Sequence, residues 1–73
     1  MAKGSHPYSA VGKNFLRYRM LRRLTQEKAA ERIGISLKYY QALEAGSKAP
    51  AFDTLCRVKK VMECSWSQLL NGC

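Results

Sequence analysis

Residues 24–46 read LTQEKAAERIGISLKYYQALEAG, and this segment carries the clearest structural pattern in the chain. Thr25 is suited to cap a first short helix, because its side-chain oxygen can accept from a backbone N–H. Gly34 can end that helix in the left-handed conformation, which glycine adopts at little cost. Ser36 can cap a second helix that stops at Gly46. The segment therefore predicts two short helices joined by a tight turn.

Apolar residues recur at helical spacing on both sides of this pair. We therefore predict an all-α, compact five-helix domain over residues 9–73, without strands. Residues 1–8 show no such periodicity and are predicted to be a flexible amino-terminal arm. The other predicted boundaries are Ser9 to about Arg23 for the first helix, about Phe52 to Met62 for the fourth, and a capping box of Ser65 and Gln68 for the last.

The charge balance narrows the class of partner. Of 73 residues, 13 are Lys or Arg and 5 are Asp or Glu, which gives a net charge of +8. Such an excess favours a polyanion, with nucleic acid first and an anionic membrane surface second, although it also fits a merely well-solvated surface. No segment approaches the roughly 20 apolar residues of a membrane span, and no signal peptide is visible. We therefore expect a cytoplasmic protein and no membrane partner.

Catalysis and metal binding find little support in the sequence. Cys56, Cys64 and Cys73 are odd in number and widely spaced, which fits neither a disulfide framework nor a zinc knuckle. The single histidine, His6, lies in the predicted arm. No phosphate-binding loop, dinucleotide fingerprint or nucleophile–base set is present. We expect no enzyme activity, no cofactor, no metal and no small-molecule ligand.

An ordered set of motifs extends from about Val11 to Leu70. They are Leu24-Thr25-Gln26-Glu27, Ala30, Gly34-Ile35-Ser36, Leu43-Glu44-x-Gly46, Pro50 and the Trp66 to Leu70 ending. This set resembles the Xre/Cro family, the phage lambda-type repressor helix-turn-helix domains. The resemblance implies a lambda-repressor-like fold and a sequence-specific transcriptional regulator, with repression the expected sign. It would read the major groove of double-stranded DNA with the helix Ser36–Ala45.

The resemblance also assigns roles to particular residues. Gln26 would bind a DNA phosphate and brace the recognition helix. Arg19 and Glu44 match a pair that forms a buried salt bridge, whereas residue chemistry alone also allows a weak surface pair. The implied base contacts are Ser36, Leu37, Lys38, Gln41 and Ala42, with Ala45 near the DNA backbone and Lys48 on a phosphate.

Side-chain chemistry, taken without the resemblance, also indicates contacts with bases and phosphates. Lys38 can donate to guanine, Gln41 can pair with adenine, and Leu37 can only press on a thymine methyl. Few side chains on this helix can make specific contacts with bases, so DNA shape is expected to carry part of the specificity. Tyr39 would reach a sugar or phosphate, or else pack. The predicted phosphate contacts are Thr25, Gln26, Tyr39, Ala45, Lys48, Lys13 and Arg17.

Several positions depart from the family pattern. Tyr40 stands where Val or Ile is usual, and Ala29 where a larger aliphatic residue is usual. We predict that the Tyr40 ring fills the volume that Ala29 leaves. Arg23 and Glu63 each replace a common glycine, which leaves the geometry of both turns open.

The oligomeric state and the function each have more than one interpretation. A homodimer is expected, through either the Trp66–Cys73 end or an apolar patch of Leu16, Met20 and Leu21. The alternative function is a protein-interaction module or antitoxin with weak or no DNA binding, favoured by the apolar Leu37, Ala42 and Ala45. A membrane-surface or RNA binder is a third reading.

Overall fold

The computed structural model describes residues 7–73, which form five α-helices and no β-strand. The all-α, five-helix architecture predicted from the sequence is confirmed. None of the helices in this range is long and apolar enough to cross a bilayer. Residues 1–6, most of the predicted arm, lie outside the described range. The helices are α1 Ser9–Leu21, α2 Gln26–Ile33, α3 Leu37–Ala45, α4 Phe52–Met62 and α5 Trp66–Leu69.

Local capping sets the boundaries of α2 and α3. The Thr25 hydroxyl accepts from the Lys28 N–H at 3.0 Å, and the Ser36 hydroxyl accepts from the Tyr39 N–H at 3.1 Å. Gly34 lies at φ 91°, in the left-handed region that ends a helix without a Cβ penalty. The tight turn between α2 and α3 therefore begins and ends where the sequence predicted.

A single apolar core joins all five helices. The rings of Phe15 on α1 and Tyr40 on α3 stack with centroids 6.4 Å apart. Ala29 is also fully buried, although its predicted complementarity with Tyr40 stays a prediction. The largest fully buried side chains are Tyr40, Phe15, Leu43, Met62, Leu69 and Val58.

Close backbone approach fixes α1 against the carboxyl end of α3. A Cβ on Gly12 would lie 2.7 Å from the Leu43 carbonyl oxygen, so only glycine fits without a shift. The Tyr8 N–H donates to the Gly46 carbonyl at 3.1 Å. Tyr8 therefore belongs to the folded body, and its assignment to the flexible arm is wrong.

The first helix differs from its prediction at both ends. It ends at Leu21 and not near Arg23, because Arg23 takes a left-handed φ of 58° that cannot continue a helix. Ser9 does not cap it. Tyr8 occupies the capping position, and no side chain bonds to the first amides.

Phe52 begins α4, as predicted, and it is 73% exposed. As the first residue of the helix it projects beyond the core and stacks on Trp66, with centroids 6.1 Å apart. The Lys59 ammonium lies 5.5 Å from the centroid of the Trp66 ring. Helical spacing of the apolar residues predicted α4 but did not show that Phe52 lies outside the core.

Two polar side chains tie distant helices together. The Asn14 amide on α1 is buried and donates to the carbonyls of Leu69 and Asn71, at 2.7 and 2.9 Å. The Arg22 guanidinium donates to the Met62 carbonyl at 2.8 Å, at the end of α4, where the helix dipole favours a cation. Both contacts tie α1 and the residue that follows it to the last two helices.

Candidate nucleic-acid interface

One face of α3 is buried and the other is open. Tyr40 and Leu43 point into the core and are fully buried. The residues predicted to contact bases lie on the other side, and the described part of the chain leaves most of them exposed. Ser36, Leu37, Lys38, Gln41 and Ala45 are exposed there, and Ala42 is half-buried.

An open groove of about 330 Å³ runs along this face. Its lining brings a predicted base reader, Lys38, together with two predicted phosphate contacts, Tyr39 and Lys48. Ser36 and Ala42 complete the lining. Tyr39 is half-buried and packs against the core, so it both packs and borders the groove. The groove lining is largely apolar but includes two cationic side chains, Lys38 and Lys48, which suits a polyanion.

The other predicted phosphate contacts lie on different elements. Lys13 and Arg17 are exposed, one turn apart on α1, and neither lines the groove. Thr25 is exposed at the amino end of α2, with its hydroxyl engaged as the helix cap. The cations are therefore spread over several elements, and the groove gathers only Lys38 and Lys48.

A largely shielded ion pair links α1 to the end of α3. The Arg19 Nε lies 2.5 Å from the Glu44 Oε2, and the two side chains are only 14% and 7% exposed. Arg19 also donates through Nη1 to the Leu24 carbonyl at 2.8 Å, just before α2. The ion pair is thus largely shielded from solvent, and it links α1, the loop before α2 and the end of α3.

Two more side chains share the same carboxylate. The Tyr40 hydroxyl donates to Glu44 Oε2 at 2.6 Å, and the Gln26 amide donates to Oε1 at 2.9 Å. Burial alone would raise the pKa of Glu44, but the hydrogen bonds from Arg19, Tyr40 and Gln26 outweigh it and lower the pKa. Glu44 is therefore an anion at neutral pH.

The same contacts also shift the pKa values of two residues bonded to Glu44, Tyr40 and Arg19. Burial, together with the adjacent Glu44 carboxylate, raises the pKa of Tyr40 well above its ordinary value. The hydrogen bond to Glu44 raises the pKa of Arg19, although burial opposes it. Arg19 stays charged and Tyr40 stays neutral at any ordinary pH, so near neutral pH Glu44 and its partners keep one arrangement of protons.

One more hydrogen bond connects Glu44 and its partners to the exposed surface of α3. The Gln41 Nε2 donates to the Gln26 Oε1 at 3.2 Å. Gln26 therefore bonds to two residues of α3, Glu44 and Gln41, and Gln41 is itself a predicted base reader.

Sequence reasoning missed two members of this arrangement. It treated Tyr40 as a space-filling ring and did not foresee its hydroxyl on Glu44, although a buried tyrosine usually finds a partner for its O–H. It also missed Asn14, whose only signal was a polar residue three positions after Val11 on the buried stripe of α1.

The turn between α2 and α3 and the open face of α3 together define a helix-turn-helix domain. A sequence model of the helix-turn-helix family matches residues 16–69, which is most of the chain. The chain belongs to this family, and the Xre/Cro resemblance drawn from its motifs is confirmed.

Two curated relatives support the assignment. The chain is 34% identical over 59 residues to the uncharacterized HTH-type transcriptional regulator YqaE of Bacillus subtilis (strain 168). It is 37% identical over 61 residues to the uncharacterized HTH-type transcriptional regulator y4dJ of Sinorhizobium fredii (strain NBRC 101917 / NGR234). These matches cover 81% and 84% of this chain, and 51% and 79% of the relatives. The chain thus spans about half the length of the Bacillus relative.

Proposed function

We propose that this protein is a sequence-specific DNA-binding transcriptional regulator that acts as a repressor. The observation that carries the proposal is the open face of α3, which presents Lys38 and Gln41 to solvent while the opposite face is packed in the core. The major groove of DNA admits a helix of this kind. Both curated relatives also carry the name of HTH-type transcriptional regulators.

Base reading would fall to a few side chains of α3. Lys38 can donate to guanine O6 and N7, and Gln41 can pair with adenine. Leu37 is 38% exposed and offers only an apolar contact for a thymine methyl. Because this set is small, we expect sequence-dependent DNA shape to supply part of the selectivity.

Phosphate contacts would fix the register of the protein on the duplex. Lys48 borders the same groove as Lys38, and Gln26 lies at the amino end of α2, where free amides and the helix dipole favour an anion. Lys13 and Arg17 add exposed charge on α1. We assign the chain binding and not catalysis, and because its target is DNA we place it in the cytoplasm.

A homodimer on an inverted repeat completes the proposal. One recognition helix covers few base pairs, and half-sites one DNA turn apart have centres about 34 Å apart. Residues 7–73 extend over 34 × 26 × 22 Å, so two such bodies fit side by side at that spacing. Both predicted dimer surfaces are exposed: Met20 and Leu21 are 63% and 65% exposed, and Trp66 is 38% exposed.

A second function rests on a specific observation. The exposed Leu37 and the small Ala42 and Ala45 make part of the α3 face apolar. Such a face also suits a protein partner, and the fold would then serve as an interaction module or antitoxin with weak or no DNA binding. The groove cations Lys38 and Lys48 favour DNA.

Selection of bound sequences from a random duplex pool separates the two functions. A DNA-reading dimer should yield a palindromic consensus with half-sites one helical turn apart. A Lys38→Ala/Gln41→Ala double variant, whose substitutions lie on the solvent face of α3, should fold and yield no such consensus. Recovery of unrelated sequences by the unsubstituted chain would contradict the proposal.

A further inference from the structure

We infer that Glu44 is a positioning residue for base recognition: acting through Gln26, it fixes the orientation of the exposed Gln41 amide and so favours adenine over guanine. The inference rests on the proposed DNA-binding function. It follows from which atoms donate and which accept in a series of hydrogen bonds that leads from Glu44 to the exposed Gln41.

The series of hydrogen bonds begins at the Glu44 carboxylate, which can only accept. An ionised carboxylate has no proton to donate. Its Oε2 already accepts from the Arg19 Nε and the Tyr40 hydroxyl, at 2.5 and 2.6 Å. Gln26 approaches Oε1 at 2.9 Å, and only its NH₂ end makes a hydrogen bond there. The Gln26 amide therefore has a single favourable orientation.

That orientation dictates the next one. With its NH₂ end turned to Glu44, Gln26 presents its oxygen to α3, where the Gln41 Nε2 donates to it at 3.2 Å. A flipped Gln41 amide would set oxygen against oxygen. An exposed glutamine is normally free to flip, so the contact with Gln26 removes a freedom that Gln41 would otherwise have.

The exposed edge of Gln41 then has a defined pattern. Its Oε1 and its second Nε2 hydrogen remain for a ligand, one acceptor beside one donor. Adenine presents the complementary pair in the major groove, the N6 amino donor and the N7 acceptor. Guanine presents two acceptors, O6 and N7, so the Gln41 oxygen would face an acceptor.

The test compares affinities for two duplexes that differ only by adenine or guanine at one base pair. That base pair is first located as the one whose preference disappears in Gln41→Ala. We expect the unsubstituted chain to prefer adenine by about 5- to 150-fold, the range of a good bidentate contact. Gln26→Ala should reduce that ratio severalfold, and a folded Glu44→Gln should do the same, because its amide can face Gln26 either way.

Two controls separate positioning from general weakening. Lys48→Ala, at a proposed phosphate contact, should lower the affinity for both duplexes and leave their ratio unchanged. Gln26→Ala made in the Gln41→Ala background should not change the ratio further. An unchanged ratio in Gln26→Ala or in a folded Glu44→Gln overturns the inference, even if total affinity falls.

Different results would contradict the role of Glu44 and the DNA-binding function. If the chain selects a sequence but no base preference depends on Gln41, the inference on Glu44 is wrong and the DNA-binding function stands. If the chain binds no duplex, the function itself is wrong, and the inference falls with it.

Discussion

At the scale of single residues, Glu44 connects stability to recognition. Its carboxylate holds Arg19 on α1 and Gln26 on α2, and Tyr40 one turn away on α3. Few of these contacts could be predicted from the sequence. The Arg19–Glu44 pair followed from the family resemblance, but the Tyr40 hydroxyl and the Gln26–Gln41 bond depend on side-chain directions that spacing does not encode.

Removing the Glu44 carboxylate should destabilise the protein strongly. Glu44→Ala leaves the Arg19 guanidinium and the Tyr40 hydroxyl without their partner in a largely buried site, so we expect a loss of about 3–5 kcal/mol. Chemical denaturation measures it. Glu31→Ala breaks an exposed pair with Lys28 and should cost under about 1 kcal/mol. Near-equal losses in the two variants would show that the Arg19–Glu44 pair contributes no more than a surface pair.

The same carboxylate predicts an acid dependence. The pKa of Glu44 is lowered in the folded state, so its contribution is complete above the ordinary carboxyl value of 4.5 and is lost as the pH falls through the folded pKa. The melting temperature of the unsubstituted protein should drop more between pH 5 and about pH 3 than that of Glu44→Gln, which has no carboxylate to protonate. The other carboxyl groups are common to both, so parallel curves would contradict the assignment.

Lys38 should act on one base and not on all sequences. Lys38→Ala should relax the preference at one position of each half-site, at a cost of about 1–3 kcal/mol for the preferred base. Affinities for a set of single-base variants of the selected site measure this. Lys60→Ala, an exposed lysine on α4 outside the groove, is the matched control. Equal weakening on every duplex would instead make Lys38 a phosphate contact.

At the scale of helices, the boundaries that could be predicted were those set by local chemistry. Thr25, Gly34 and Ser36 act on their own backbone neighbours, so the sequence shows their effect directly. The end of α1 was missed because Arg23 takes a left-handed φ although it is not glycine. The exposure of Phe52 was not predicted because it depends on where the core stops. Arg23 and Glu63 keep the left-handed turn geometry at φ 58° and 55°, although neither is glycine.

Glycine at such a position should therefore stabilise the protein. Glu63 follows α4 as its left-handed cap, a conformation that costs a residue with a Cβ about 1–2 kcal/mol. Part of that gain is offset because glycine is more flexible in the unfolded chain. We expect Glu63→Gly to add about 0.5–1 kcal/mol in chemical denaturation. Glu63→Ala removes the same charge but keeps the Cβ, so an equal gain in Glu63→Ala would refute the conformational explanation.

At the scale of the whole molecule, a small core carries a strongly cationic surface. The chain has a net charge of +8. Among residues 7–73, exposed lysines and arginines lie on several helices, and only Lys38 and Lys48 of them line the α3 groove. This distribution suits a partner that is itself extended and uniformly anionic, with a few contacts that specify sequence. The sequence predicted this character from composition alone, but it could not show which cations share a face with α3.

The salt dependence of duplex binding tests the proposed function most directly. Neutralising DNA phosphates releases counterions, so a protein making about 6–10 phosphate contacts loses about 10³–10⁵ in affinity between 50 and 200 mM salt. We predict a loss of that size for the dimer on its selected site, with a shallower slope after Lys48→Ala. Affinity that stays constant over the same range would contradict the assignment of the α3 face to DNA.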